Sequence, residues 1–247
     1  SSKANQKIAQ RPQRKVQGTQ SDARLGALCA FLCVPCANYM SLLSAKKIRA
    51  DECFNQANMH NYQYYGTRVN ATELIAFIQH VFQTNLSLEA QGKRKSPICI
   101  WGRHGIGKTE IVEALARQQG YGFVYIAPAQ FEEMGDLVGM PAIENERTVF
   151  RAPAWVPNTP GPGILLIDDV NRADERILRG IMQLLQNHEL ISWALPSQWQ
   201  IVLTANPDGG DYSVTPLDDA MLTRMLHITL EFEAKAWVKW AEQNGVD

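Results

Sequence analysis

The chain has 247 residues, with 24 Lys and Arg against 25 Asp and Glu, and a formal net charge of -1. Its 45% apolar and 20% charged residues are typical of a globular protein, which excludes a collagen, a coiled coil and a wholly disordered chain. The near-zero charge gives no global attraction to nucleic acid or membrane, and no apolar run approaches the roughly 20 residues of a membrane span. The five cysteines and the lack of a signal-peptide pattern predict a cytoplasmic protein.

The first 64 residues contain no motif that specifies a reaction. Residues 1–20 carry five basic side chains and no acidic one, which predicts a flexible basic arm, with contact to nucleic acid or an acidic partner as the alternative. Residues 21–64 are predicted to form a helical and irregular extension. Within it, Cys29, Cys33 and Cys36 favour one buried helix face over a metal or iron–sulfur site.

Residues 65–247 follow the pattern of an α/β domain. Asn70 and Glu73 predict a capped helix start, and Leu74, Phe77, Ile78, Val81 and Phe82 form its apolar face. Short apolar strands then alternate with helices, which predicts parallel βαβ units. The predicted strands are 98–101, 123–126, 164–167, 200–205 and 227–230, and the predicted helices are 110–119, 175–187, 218–225 and 235–243.

Residues 102–109 form the strongest motif, GRHGIGKT, which matches the phosphate-binding loop G-x4-G-K-[ST] between a strand and a helix. Glycines let the backbone N–H groups wrap around phosphates, and the helix N-terminus adds a favourable dipole. Lys108 would reach the β- and γ-phosphates, and the Thr109 hydroxyl would bind Mg²⁺. The predicted nucleotide-binding residues are Gly102, Arg103, His104, Gly105, Ile106, Gly107, Lys108, Thr109 and Glu110.

Polar residues also follow two other predicted strands. Asp168 and Asp169 end an apolar run, as in a Walker B motif, with Asp168 predicted to bind Mg²⁺ and Asp169 to orient the attacking water. Many enzymes of this kind have the longer Glu at the second position; the alternative is that both acids only cap the next helix. Asn206 ends another strand and is predicted to sense the γ-phosphate, with a simple turn before Pro207 as the alternative.

Arg224 ends a short predicted helix just before the last strand. A guanidinium at this place could stabilise transition-state charge on the nucleotide of a neighbouring subunit. The alternative is a salt bridge or a helix cap on the surface of its own chain.

The order of these motifs resembles that of AAA+ ATPases, and residues 168–173, DDVNRA, are similar to the D-E-[IL]-N-R-A of the MoxR-like group. The resemblance implies a five-stranded parallel sheet with helices on both faces, ATP or ADP with Mg²⁺, and a ring oligomer, usually a hexamer. It further implies ATP-driven remodelling of a partner protein, commonly one with a von Willebrand factor A-type domain. The family has a helical lid after the fifth strand, and we expect this sequence to form the core without it.

Residues 130–160 leave two interpretations open. Their apolar side chains could form an exposed grip for a partner, or they could belong to a β-hairpin of 140–143 with 148–151 that packs on the body of the domain. The side chains concerned are Phe131, Met134, Val138, Met140, Phe150 and Trp155.

Other functions also stay open. An ATP-binding switch with weak hydrolysis is favoured by Asp169 in place of Glu. A nucleic-acid motor is favoured by the basic arm, but the balanced charge and the lack of a basic stripe argue against it. A small-molecule kinase would leave Asn206 and Arg224 without a role.

Overall fold

The computed structural model describes residues 63, 65–207 and 214–243. The chain divides into two compact units, 1–47 and 48–247, and every described residue belongs to the second. The predictions for the basic arm and for Cys29, Cys33 and Cys36 therefore lie outside the described residues, as does all of the predicted extension 21–64 except residue 63. None of the helices in the described ranges is both long and apolar enough to cross a membrane.

The strands are β1 (Thr67–Val69), β2 (Ile98–Trp101), β3 (Gly122–Ile126), β4 (Met140–Glu144), β5 (Arg147–Arg151), β6 (Gly163–Ile167), β7 (Glu189–Leu190), β8 (Trp193–Ala194), β9 (Trp199–Ala205) and β10 (Leu226–Leu230). Six of them form the central parallel sheet, in the order β1-β10-β2-β9-β6-β3. The helices are α1 (Ala71–Ala90), α2 (Lys108–Gln119), α3 (Met134–Val138), α4 (Glu175–Asn187), α5 (Asp219–Leu222) and α6 (Ala234–Gln243). The predicted parallel α/β sheet is confirmed, and β1 adds a short sixth strand beside β10.

The buried strands explain the continuous apolar runs in the sequence. Every residue of β6 and β9 is buried, and successive side chains of a strand face opposite sides of the sheet. In β6, Leu165 and Ile167 pack with residues of α4 on one face, whereas Ile164 and Leu166 pack with residues of α1 and α2 on the other. Helices therefore cover both faces of the sheet, as expected.

Helix α1 begins with a reciprocal cap. The Asn70 side chain accepts from the Glu73 N–H at 3.0 Å, and the Glu73 carboxylate accepts from the Asn70 N–H at 3.0 Å. The pair satisfies two main-chain donors that the first turn leaves without helical partners. The predicted helix start at Asn70 is thus confirmed.

The segment after β3 carries the hairpin expected within residues 130–160. Strands β4 and β5 pair in antiparallel fashion, and Met140 and Ile143 are 70% and 83% exposed. Phe150 and Trp155 pack partly buried against the core, and Val138 is only 5% exposed. Of the two interpretations left open, Val138 therefore fits packing on the body of the domain, because this side chain ends α3 on its buried face.

Candidate functional site

The candidate site lies at the carboxyl edge of the sheet, where β2, β9 and β6 are neighbours. The loop 102–107 follows β2, Asn206 follows β9, and Asp168 and Asp169 follow β6. Because parallel strands end at the same edge, these segments from distant parts of the sequence meet there.

The loop 102–107 has the backbone form of an anion-binding loop. Gly105 and Gly107 have φ values of +74° and +88°, and an L side chain in the left-handed region costs roughly 1–2 kcal/mol. Gly107 is the N-cap of α2, and no side chain caps this helix end. The first N–H groups of α2 and the helix dipole therefore remain available to an anion.

Lys108 is the buried cation of the site, with only 6% of its surface exposed. Its ammonium donates to the carbonyl oxygens of Gly102 at 2.7 Å and Arg103 at 3.0 Å, and to Asn206 Oδ1 at 3.2 Å. Burial lowers the pKa of Lys108 to about 8, and the carboxylates of Asp169 and Asp168 oppose that fall. Three acceptors thus hold a cation at the base of the loop.

Asp168 accepts hydrogen bonds on both carboxylate oxygens. Thr109 Oγ1 and Thr204 Oγ1 both donate to Oδ1 at 2.7 Å, and the Tyr125 hydroxyl donates to Oδ2 at 3.1 Å. Burial and the nearby Asp168 carboxylate raise the pKa of Tyr125.

The Thr109 hydroxyl and the Asp168 carboxylate supply the hard oxygen ligands that Mg²⁺ prefers, so the residues fit the ion expected from the motifs. In the part of the chain that the structure describes, no three His, Cys, Asp or Glu side chains gather as a metal site. Mg²⁺ commonly takes only one or two carboxylates, with waters and substrate phosphates as its other ligands.

Asp169 and Asn206 are joined through their side chains. Asn206 Nδ2 donates to Asp169 Oδ1 at 2.9 Å, while the other end of the same amide accepts from Lys108. Arg172 lies 3.7 Å from Asp169 Oδ2, and Asp169 has the left-handed backbone angles φ 48° and ψ 47°. Asn206 therefore bridges the buried cation and the second acid.

The structure brings Lys108, Thr109, Asp168, Asp169 and Asn206 into one hydrogen-bonded cluster. The hydrogen bonds of Arg224 lie outside this cluster. Its Nε donates to Gln186 Oε1 of α4 at 3.2 Å, and its Nη1 donates to the carbonyl oxygen of Ala220.

The other predicted nucleotide-binding residues differ in their burial and surroundings. The Ile106 side chain packs partly buried on the core beneath α1 and α2, and Glu110 is exposed in the first turn of α2. Burial, with the positive charges of Lys108 and Arg103, lowers the pKa of His104, so the neutral imidazole is favoured beside this cationic loop.

Sequence reasoning missed three residues of the site: Tyr125, Asn171 and Thr204. Tyr125 and Thr204 contact Asp168, and Asn171 bonds the main chain of Asn206. Thr204 carries a weak signal, since it is a polar residue near the end of a strand that is otherwise almost wholly apolar. Asn171 is part of the 168–173 motif, but the motif alone assigns it no role.

The comparisons with known proteins agree with this geometry. Residues 97–225, more than half of the 247-residue chain, match the AAA domain family, dynein-related subfamily. The chain belongs to this family, which confirms the resemblance to AAA+ ATPases and assigns the chain to the dynein-related subfamily. Members of the family are ATPases that bind nucleotide, usually with Mg²⁺, and commonly form oligomeric rings.

Individual relatives are distant. The chain is 25% identical to midasin of Giardia intestinalis over 162 residues, which cover 60% of this chain and 3% of that protein. It is 25% identical over 157 residues to the replication factor C large subunit of Ignicoccus hospitalis, covering 62% of this chain and 29% of that subunit. The crystal structure of a candidate ATPase from Cytophaga hutchinsonii superposes with a TM-score of 0.50 at 16% identity, over 71% of this chain and 54% of that one. The likeness to the crystal structure supports the fold alone, and the chain spans less than a third of either curated relative.

Proposed function

We propose that this chain binds ATP with Mg²⁺ at the carboxyl edge of its sheet and hydrolyses it to ADP and phosphate. The observation that carries the proposal is the series of bonds from Lys108 through Asn206 to Asp169, beside the Thr109–Asp168 pair. A buried cation, a polar sensor and an acid in series are the groups that phosphoryl transfer requires.

The binding residues act first. The N–H groups of the loop and of the α2 N-terminus bind the phosphates, and Lys108 exchanges its main-chain acceptors for phosphate oxygens. Thr109 and Asp168 would hold Mg²⁺, which neutralises charge on the phosphate oxygens when it is bound.

Asp169 supplies the base. Its carboxylate accepts a hydrogen bond from the attacking water and takes the proton as the water oxygen bonds to the γ-phosphorus. The bond from that phosphorus to the β–γ bridging oxygen breaks, and ADP leaves. Asn206 keeps the carboxylate in place through its 2.9 Å bond.

We also propose that the chain acts as a ring oligomer, usually six subunits in the group it resembles, and remodels a partner protein. In this structure Arg224 donates to Gln186 of α4 and to the carbonyl oxygen of Ala220 in α5, which are the own-chain contacts of the alternative role. A role on a neighbour's nucleotide rests on the resemblance to AAA+ ATPases and requires Arg224 to exchange these contacts for phosphate oxygens. The exposed Met140 and Ile143 of the β4–β5 hairpin offer an apolar contact for a partner. A protein with a von Willebrand factor A-type domain is the partner class to test first.

Steady-state ATP hydrolysis measured against protein concentration tests the proposal, with Lys108→Ala as the blank. We expect specific activity to rise with concentration, because subunits would complete each other's sites. Activity of Lys108→Ala equal to that of the wild type would refute the site assignment. Tight Mg²⁺-ATP binding without turnover would favour a nucleotide switch. The contact of 3.7 Å between Arg172 and Asp169 also favours a switch, because the arginine offsets the negative charge of the proposed base.

A further inference from the structure

Thr204 is a buried threonine that contacts both acidic residues of the site. It lies in β9 opposite Ile100 of β2, and none of its surface is exposed. Its hydroxyl donates to Asp168 Oδ1 at 2.7 Å and accepts from the Asp169 N–H at 2.8 Å. One oxygen atom therefore bridges the side chain of the first acid and the main chain of the second.

The donor groups determine the direction of the two hydrogen bonds of the Thr204 hydroxyl. A main-chain N–H can only donate, so the Thr204 oxygen accepts from Asp169. The single hydroxyl proton is then directed at Asp168, whose ionised carboxylate only accepts. A hydrogen bond to an ionised acceptor is roughly twice as strong as a neutral one, and here it is buried.

The bond to Asp169 also stabilises an unusual backbone. Asp169 has φ 48°, and a left-handed conformation costs a non-glycine residue roughly 1–2 kcal/mol. The Thr204 oxygen binds its N–H, and the Arg172 N–H binds its carbonyl at 2.9 Å. In this conformation the Asp169 carboxylate meets Asn206 Nδ2.

We propose that Thr204 is a positioning residue that holds the Asp168 carboxylate and the Asp169 main chain relative to each other. It thereby controls both Mg²⁺ binding by Asp168 and the placement of Asp169 as the base. The proposal rests on the proposed ATPase function. Without the hydroxyl, Asp168 Oδ1 would keep only the hydrogen bond from Thr109 and lose one of its two donors. Asp169 would lose a main-chain bond that supports its turn.

The chain offers a matched set of variants. Thr204→Val keeps the branched shape in a buried strand but removes both bonds, and Thr204→Ser restores the hydroxyl. Thr229→Val is the control, because Thr229 is equally buried in the same sheet and its hydroxyl donates to the Tyr65 carbonyl at 2.8 Å. Both valine variants therefore lose a buried threonine hydroxyl, but only one loses contact with the acids.

The experiment measures the affinity for a fluorescent ATP analogue as Mg²⁺ is titrated, together with kcat for ATP. We expect Thr204→Val to need about tenfold more Mg²⁺ for its half-maximal effect and to lose about 100-fold in kcat, the loss that a misplacement of about 1 Å can cause. Affinity for the analogue without Mg²⁺ should stay within about twofold, since both hydrogen bonds of the Thr204 hydroxyl go to the acids and not to the loop 102–107. Thr204→Ser and Thr229→Val should both respond to Mg²⁺ as the wild type does.

The outcomes separate the two proposals. Wild-type protein that fails to bind the analogue overturns the proposed function. If the wild type binds the analogue but Thr204→Val and Thr229→Val respond to Mg²⁺ alike, only the role of Thr204 is overturned. A Thr204→Ser variant that is as impaired as Thr204→Val overturns that role as well. The Mg²⁺ titration decides the matter even where turnover is slow.

Discussion

Asn171 holds the main chain of Asn206 with both ends of its side-chain amide. Nδ2 donates to the Asn206 carbonyl at 2.7 Å, and Oδ1 accepts from the Asn206 N–H at 3.1 Å. Asn171 is fully buried, and its own carbonyl accepts from the Thr215 N–H at 2.7 Å. The turn after the acidic pair and the end of β9 thus form one unit, which leaves the Asn206 side chain for Lys108 and Asp169.

We expect Asn171→Ala to lower the free energy of unfolding by about 3 kcal/mol, because it leaves two buried main-chain groups without partners. Urea unfolding followed by circular dichroism measures the loss. Asn187→Ala is the control, since Asn187 is exposed at the end of α4 and its loss should change stability by less than about 0.5 kcal/mol. Equal stability of the two variants would contradict the structural role of the pair.

Replacement of Asp169 separates binding from chemistry. Asp169→Asn keeps the shape but cannot take a proton, so kcat should fall about 100-fold or more while ATP affinity stays within about threefold. Asp169→Glu should raise kcat, because the longer carboxylate reaches further toward the water. Single-turnover hydrolysis and nucleotide titration measure both effects.

Asp174→Asn is the matched control for that series. Asp174 caps α4, and Asn caps a helix equally well, so this variant should hydrolyse ATP at the wild-type rate. A slower Asp169→Glu enzyme would indicate that the Asn206 and Arg172 contacts fit the shorter side chain.

Arg224→Ala should bind ATP normally and fail to hydrolyse it, since the guanidinium is proposed to act across a subunit boundary. Lys108→Ala should also be inactive, for lack of nucleotide binding. Mixing the two variants should restore activity, because an intact phosphate loop of one can then meet an intact Arg224 of the other.

Hydrolysis by the mixture, compared with each variant alone, measures this recovery. Arg117→Ala controls for the loss of an exposed arginine, because Arg117 pairs with Glu113 on α2. If the wild type hydrolyses ATP but the mixture of Lys108→Ala and Arg224→Ala does not, Arg224 does not act on the nucleotide of a neighbouring subunit.

His188 should make the fold sensitive to acid. Burial lowers its pKa from 6.5 to about 4, with the charge of Lys95 acting in the same direction, and its buried Nε2 has no hydrogen-bond partner among the described residues. Between these pKa values the unfolded chain binds a proton that the folded chain does not, so stability falls as pH falls. The expected loss between pH 7 and pH 5 is about 2 kcal/mol.

Urea unfolding at the two pH values measures that loss in the wild type and in His188→Asn. Asparagine tolerates the left-handed backbone of this position, φ 58°, and has no proton to gain. The variant should therefore lose about 2 kcal/mol less than the wild type between pH 7 and pH 5. Equal losses in the two proteins would show that other groups cause the acid sensitivity.

Local patterns predicted the elements well where one short stretch carries all the information. The loop 102–109, the cap at Asn70 and the buried runs of β6 and β9 depend on neighbouring residues alone. The short strand β1 gave no such signal, because two of its three residues are exposed at the sheet edge. The sequence left the burial of Val138 open, because burial at the end of a five-residue helix depends on what packs against it.

The sequence by itself determined the phosphate loop, the acidic pair and the Asn206 amide of the site, because hydrogen-bonding capacity and charge belong to each residue. The tertiary structure decided which of them meet. Strand β9 lies between β2 and β6, so Thr204 and Asn206 stand between the phosphate loop and the acids. That strand order depends on how whole faces pack, and it joins residues up to 98 positions apart, as Lys108 and Asn206 are. No local period encodes such a contact.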